Sequence, residues 1–436
     1  MSMPRLRRIP ALSATVASAL LLALAPNGLA PALWAAESAD PTVDWPQFRG
    51  GSQTGESPEK GLLHSWPEGG PKVVWKQAIG EGFSAVNAVG GFLYTMAADG
   101  DKETALCLEE ATGKLVWRTP LDAKFVEEFG NGPRSTPAVA GGRVHALSSG
   151  GKLVALKAKD GAKIWEVDLV ASFGSKVPTR GFSPSIVVDG DLVLLEVGGK
   201  EPGKAIAAFD AADGKVRWTA LDGRPGYTTP LVVTIDGVRQ YVFVTSAGGE
   251  IVSLRTDGQV HWRHAWSPGA LASALFLPPN RIFASAADDV GSVLVEVTKA
   301  DGKPVVKEVW KNRVMKNHFS SSVLVGGHIY GFDNASLKCV DPATGEQKWV
   351  QRGFGKGSLI AADGLLFVLS DRGALVLVEA TPEAYREKGR AQALEGKTWT
   401  APSLANGKLY LRDHDELVVL DVKGRPSVAQ PSPVGR

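Results

Sequence analysis

The sequence predicts an all-β fold: an eight-bladed β-propeller of four-stranded antiparallel blades, its ring closed by an N-terminal strand. Three observations carry this expectation. Trp75, Trp117, Trp165, Trp218, Trp262, Trp310 and Trp349 recur at spacings of 42, 48, 53, 44, 48 and 39 residues, the period of a four-stranded blade. Five of them close copies of one phrase, CLEEATGKLVW, ALKAKDGAKIW, AFDAADGKVRW, SLRTDGQVHW and CVDPATGEQKW, in which a turn glycine (Gly113, Gly161, Gly214, Gly258, Gly345) stands four residues before the Trp. With 50 glycines, 27 prolines and 44% hydrophobic residues, the composition is that of a turn-rich globular β protein.

In chain order, residues 1–36 read as a signal peptide. Arg5, Arg7 and Arg8 precede the apolar run Ala11–Ala25, which is shorter than the roughly 20 residues of a membrane span and is broken by Pro26, Asn27 and Gly28. Small residues at Ala30, Ala32 and Ala36 offer cleavage points, and no nearby cysteine could take a lipid anchor. The expectation is a periplasmic or secreted monomer. Residues 37–70 are read as an N-terminal extension, 71–422 as the propeller and 423–436 as a disordered tail. The formal charge of +2 becomes −1 once the signal arginines leave, so nothing draws the chain to nucleic acid or anionic membrane.

Within the propeller, each blade begins with a hydroxyl residue, an apolar stretch, a Gly turn and a second apolar stretch, as in STPAVAGGRVHAL and SPSIVVDGDLVLL. These are strand pairs joined by tight hairpins. Starts at Phe83, Arg134, Phe182, Tyr227, Ala272, Phe319, Lys356 and Trp399 give eight blades. All but Lys356 are followed by Ser or Thr: Ser84, Ser135, Ser183, Thr228, Ser273, Ser320 and Thr400. The eighth copy stops at Val422 without a Trp phrase, and Pro71–Gly80 has a Trp but no strands before it. That segment is expected to pair with Leu417–Val422 and close the ring, removing exposed strand edges. Blade five is stretched between Gly302 and Trp310, and blade seven is expected to insert a helical turn over Pro382–Lys388. The repeated Trp serve as docking residues, each indole lying on a neighbouring blade's glycine turn with its N–H on a backbone carbonyl.

The Trp phrase resembles the docking repeat of pyrroloquinoline-quinone (PQQ) propellers, a family that includes quinoprotein alcohol dehydrogenases and the BamB outer-membrane assembly lipoprotein. DWPQFRG (Asp44–Gly50), residues 378–402 and LYLRDHDELVVLD (Leu409–Asp421) resemble its secreted PQQ-like repeat members. For an enzyme the resemblance implies a calcium site of carboxylate and amide oxygens, an Asp base and a pair of adjacent cysteines. Cys107 and Cys339 are not adjacent, and they occupy one repeat column in two distant blades, so they are expected as free buried thiols. Asp288, Asp289 and the run Asp413–Glu416 read as hairpin turns. Asn87, Asn131, Asn317 and Asn334 could supply amides, but of these only Asn334 has an acid beside it in sequence, Asp333. His261 and His264 point to opposite faces of a strand, while His145 and His328 read as packed.

No metal site and no cofactor are predicted; PQQ with calcium is the alternative. The reading is a binding scaffold, against two alternatives, a divergent PQQ-dependent oxidoreductase and an outer-membrane assembly factor. Its expected ligand site is the funnel mouth formed by Phe83, Arg134, Phe182, Tyr227, Phe319, Lys356 and Trp399, where aromatic faces and two cations suit a protein segment or a small planar anion. The competing expectation is that these side chains wedge between blades as core.

Overall fold

The computed structural model describes residues 43–245, 249–266, 269–287 and 290–424. The expected signal peptide, the Asp288-Asp289 turn and the tail beyond 424 lie outside them. Eight antiparallel sheets follow one another along the chain, at residues 87–123, 138–168, 187–220, 231–265, 275–312, 323–351, 358–392 and 403–421. Asn87–Val89 of the first packs beside Ser403–Ala405 of the last, closing the ring.

Burial follows strand position. Middle strands such as Leu365–Leu369 lie between two blades and are buried throughout, which is why they read as unbroken apolar runs. Outer strands such as Lys163–Asp168 bury mainly the Trp. Each outer strand is bulged just before that position, for example between Lys163 and Trp165 and between Val73 and Trp75. The extra residue turns the indole sideways toward the next blade.

The outer strand of the last blade comes from the other end of the chain. Lys72–Ala78 runs antiparallel to Glu416–Asp421, with Lys72 opposite Asp421 and Ala78 opposite Glu416. Arg412 reinforces the junction. It is 1% exposed and donates to the carbonyls of Ser84 (3.1 Å), Met96 (2.8 Å) and Gly80 (3.1 Å), tying blade eight to blade one.

Five indoles lie on a glycine turn of the next blade with the N–H on a carbonyl there, among them Trp75 on Gly113 with Glu110 O (2.9 Å), Trp117 on Gly161 with Ala158 O (2.9 Å), Trp165 on Gly214 with Ala211 O (3.1 Å), and Trp310 on Gly345 with Pro342 O (2.9 Å). Trp218 does the same on Gly258, bonding Thr256 O at 3.0 Å. Trp262 departs from the pattern. The ten-residue strands of blade five carry the Gly302 turn away, so its N–H turns back to Gln240 Oε1 at 2.6 Å within its own blade. Trp349 meets Tyr385 edge-on and bonds Thr381 O at 2.8 Å, with no glycine between.

Blade seven corrects one expectation. No helix forms over residues 382–388; an irregular turn leads into the outer strand Glu387–Gln392. The bulge register places Gly389 where the other blades carry Trp. Trp66 of the N-terminal extension lies against that glycine, about 3 Å from where a Cβ would stand. The extension thus completes the one blade whose own sequence lacks an indole. Lys423 and Gly424, which the sequence reading assigned to the tail, join the extension: Lys423 bridges Leu62 and Gly424 donates to Gly61 O at 2.8 Å.

Candidate functional site: a funnel closed at one end

All eight inner strands run in the same direction along the central channel, and because strand side chains alternate, residues two apart face the same way. This builds the channel in tiers. The mouth tier is Phe83, Arg134, Ser183, Tyr227, Leu271, Phe319, Lys356 and Trp399, and two residues further along stand Ala85, Thr136, Ser185, Thr229, Ser273, Ser321, Ser358 and Ala401. All sixteen line one cavity of about 630 Å³.

Six of the seven expected mouth residues therefore sit together. Phe182 does not. It is fully buried, its ring on Gly151 of the preceding blade, and Ser183 takes its place. In blade five Leu271 replaces Ala272. Aligning each blade on its first hydroxyl slips these two by one residue, and one residue in a strand is the opposite face. The pattern that keeps register is a Ser or Thr two places after the mouth residue, present in six blades from RST to KGS.

Five second-tier hydroxyls link the blades. Thr136 Oγ1 accepts from Ala85 N (3.1 Å), Ser185 Oγ from Thr136 N (3.1 Å), Thr229 Oγ1 from Ser185 N (2.9 Å), Ser273 Oγ from Thr229 N (3.3 Å) and Ser321 Oγ from Ser273 N (3.0 Å).

Five residues beyond the mouth tier, the N-terminal extension crosses the channel. Trp45 pairs with Ala88, Pro46 O accepts from Val139 N, Gln53 Oε1 accepts from Val232 N, and Glu56–Ser57 adds a parallel strand against Ala361–Ala362. Phe48 and Arg49 of this plug form the cavity floor. Arg49 is 5% exposed at a positive φ, and its guanidinium donates to Gln53 O (3.1 Å), Thr54 O (2.6 Å) and Ser322 O (2.5 Å). Burial pulls this group down to about 10, the response of a cation held by carbonyls alone.

At the opposite end a loop (residues 124–133) leans over the mouth. Phe129 contacts Trp399 (6.1 Å between centroids), which also meets Phe83 (6.0 Å) and Phe319 (5.2 Å). Arg180 lies 4.1 Å over the Phe129 ring and pairs with Glu127 and Glu128, and Lys397 donates to Phe129 O at 2.7 Å. Arg134 is committed to this loop. Its guanidinium bonds Gly130 O (2.7 Å), Gly132 O (2.7 Å) and Glu127 Oε2 (3.1 Å) and lies over Phe83 and Phe125. Its burial lowers its pKa, opposed by Glu103 and Tyr227. Phe48, Arg49, Phe129 and Arg180 carried no repeat signal. Arg49 lies in the DWPQFRG segment, whose place beneath the channel no local pattern states.

Sequence profiles place the chain. It belongs to the family described as outer membrane protein assembly factor BamB, which matches at residues 59–231, 202–333 and 333–425. A 120-residue stretch is 32% identical to the dehydrogenase subunit of a quinone alcohol dehydrogenase from Acetobacter aceti, spanning 26% of this chain and 16% of that protein. The chain thus covers about a sixth of that relative's length. In fold it is similar to the quinohemoprotein alcohol dehydrogenase of Comamonas testosteroni (TM-score 0.59, 13% identity, 89% of this chain and 82% of that one). It is similar also to BamB of Moraxella catarrhalis (TM-score 0.54, 15% identity, 81% and 99%).

The residues present do not fit the calcium–quinone centre that the resemblance implies. Glu127 is the one carboxylate lining the cavity among the described residues, and Arg134 and Arg180 hold it. Among the described residues no amide side chain lines the cavity. Asn87 donates to Pro137 O, and Asn317 bridges Phe332 O and Ser322. No three His, Cys, Asp or Glu side chains converge on one point among the described residues. Cys107 and Cys339 are free and buried, each opposite its blade's Trp, and burial pushes both thiols up to about 11. His145 is buried against Trp165. Asp413–Asp415 form the turn between the last two strands. Among the described residues no helix is long and apolar enough to cross a membrane.

Proposed function

We propose that this protein is an exported, monomeric binding scaffold that holds a small planar anion, or the carboxylate-bearing end of a protein segment, in its funnel. One observation carries the reading. The cavity is of ligand size, about 630 Å³, lined by Phe83, Phe129, Phe319 and Trp399 and by the cations Arg49, Arg134, Arg180 and Lys356, with Glu127 the one carboxylate among the described residues. Aromatic faces stack on a planar body while the surplus positive charge attracts its anionic group. Export to the periplasm rests on the arginine-led apolar run at the N-terminus.

The test is titration with 8-anilinonaphthalene-1-sulfonate, followed by its fluorescence. The expected result is one site per chain, weakened about tenfold or more by Trp399→Ala and by Lys356→Gln, both of which keep the parent melting curve. Unchanged affinity in both variants refutes the funnel as the site. The stretch similar to a quinone alcohol dehydrogenase supports a second reading, a divergent PQQ-dependent oxidoreductase. PQQ with calcium, added to the purified protein, separates the two: a stoichiometric quinone band with dye-linked alcohol oxidation favours the enzyme. The assembly-factor reading shares this fold and needs a protein occupant at the same mouth.

A further inference from the structure

We propose that the hydroxyl belt and Arg49 together form an oxyanion seat beneath the aromatic mouth, so that the ligand enters with its carboxylate, phosphate or sulfate group first. This deepens the funnel reading and rests on it. The belt hydroxyls of Thr136, Ser185, Thr229, Ser273 and Ser321 are all under 9% exposed. Each accepts a backbone N–H from the preceding blade, which fixes the oxygen and leaves its own proton as the group able to donate. None of the five makes a donor bond to protein among the described residues. A serine or threonine has one such proton, and a buried donor without an acceptor is unfavourable. Five around one channel therefore form a surface that lacks acceptors.

Arg49 supplies the charge. Its Nε and Nη2 are taken up by three carbonyls, whereas Nη1 has no hydrogen bond to protein among the described residues, and no carboxylate pairs with it there. Its hydrogen bond to Ser322 O fixes its height. Ser322 follows the belt residue Ser321, and one residue of strand rises about 3.3 Å, so the guanidinium lies just under the belt. The acid nearest the ligand path, Glu127, is at the mouth and already paired. Below the mouth the lining offers donors and a cation, a combination that favours groups that only accept and disfavours cations.

Isothermal titration calorimetry at constant ionic strength tests this, with sodium sulfate, phosphate and benzoate as probes against sodium chloride. The variants are Ser273→Ala/Ser321→Ala, which removes two donors from the belt, and Arg49→Gln, with Arg49→Lys keeping the charge; melting curves verify folding. One anion is expected per chain, weakened at least tenfold in the belt variant and in Arg49→Gln and partly restored in Arg49→Lys. Preference for sulfate or phosphate over benzoate identifies a tetrahedral head, and the reverse a carboxylate. If the folded belt variant binds every probe as tightly as the parent, the seat is refuted while the funnel reading stands. If neither benzoate nor any inorganic anion binds the parent, the funnel reading falls with it.

Discussion

Gly142, Gly161 and Gly302 are all turn glycines with φ near +70°, at +72°, +69° and +75°, yet replacing them with alanine should have different costs. A left-handed backbone costs an L-residue about 1–2 kcal/mol, and the loss of unfolded-state freedom offsets part of that equally at all three. Space separates them. A Cβ at Gly142 or Gly302 meets nothing within 4 Å, whereas at Gly161 it would stand 2.6 Å from both the Trp117 ring and Thr119 Oγ1. Trp117 cannot retreat, because its N–H is fixed to Ala158 O and its ring contacts Tyr94. Overpacking of this kind adds about 1–3 kcal/mol. Gly161→Ala should therefore cost about 2–5 kcal/mol, and Gly142→Ala and Gly302→Ala about 1–2 kcal/mol each. Urea unfolding followed by tryptophan fluorescence measures this through the midpoints, provided the slopes agree. Three losses within about 0.5 kcal/mol of one another, smaller than the smallest overpacking penalty, would show that the indole does not press on the turn. Gly302 is the decisive member, because its Asp-Gly-Lys repeats the turn of the docking phrase, although eight rather than four residues before its Trp, while its surroundings are empty.

Two further outcomes follow from the ring and from one buried base. A chain beginning at Gly82 lacks Lys72–Ala78, Trp66, Trp75 and the plug, leaving Glu416–Asp421 as an open edge; it should precipitate or melt well below the full chain, and equal melting temperatures would show that the ring closes without them. Burial, with Arg143 adding to it, lowers His145 to about 4. The folded state therefore keeps this ring neutral while the unfolded chain takes up a proton below about pH 6.5. Its contribution is whole above pH 6.5 and falls by about 3 kcal/mol as the pH drops to 4, the equivalent of a shift of two to three pH units. Urea midpoints from pH 7 to 4 should fall more steeply for the parent than for His145→Gln; parallel profiles would count against a neutral buried His145.

The Trp phrase made the eight blades and the borrowed outer strand legible, because every blade solves the same burial problem with the same residues: apolar middle strands, a glycine turn and an indole beyond a bulge. Where one blade changes its solution, local reading fails. Blade seven shows no Trp phrase of its own, because its indole, Trp66, is more than 300 positions away from Gly389. Trp262 carries the phrase, but its neighbour's turn has moved, so its N–H found Gln240 instead. The site shows the same division. Mouth residues repeat with the blades and could be picked out of the sequence, whereas Phe182 and Ala272 were misplaced by one position, since a hydroxyl at either of two adjacent positions looks alike until the strand face is known.

The sequence by itself determined the repeat unit, the number of blades, the closure partners and most of the mouth, because these follow from period, turn chemistry and alternation within about fifty residues. Only the tertiary structure decided that the channel is closed at one end, that Arg134 is committed to the loop over the mouth, and that Arg49 lies buried beneath a belt of hydroxyls. These depend on contacts such as Arg49 with Ser322 and Gln53 with Val232, made across 273 and 179 residues. The extension that makes them is a single copy with no period of its own. Its place is fixed by the backbone donors and acceptors that the completed ring presents to it, and those exist only once the blades have assembled.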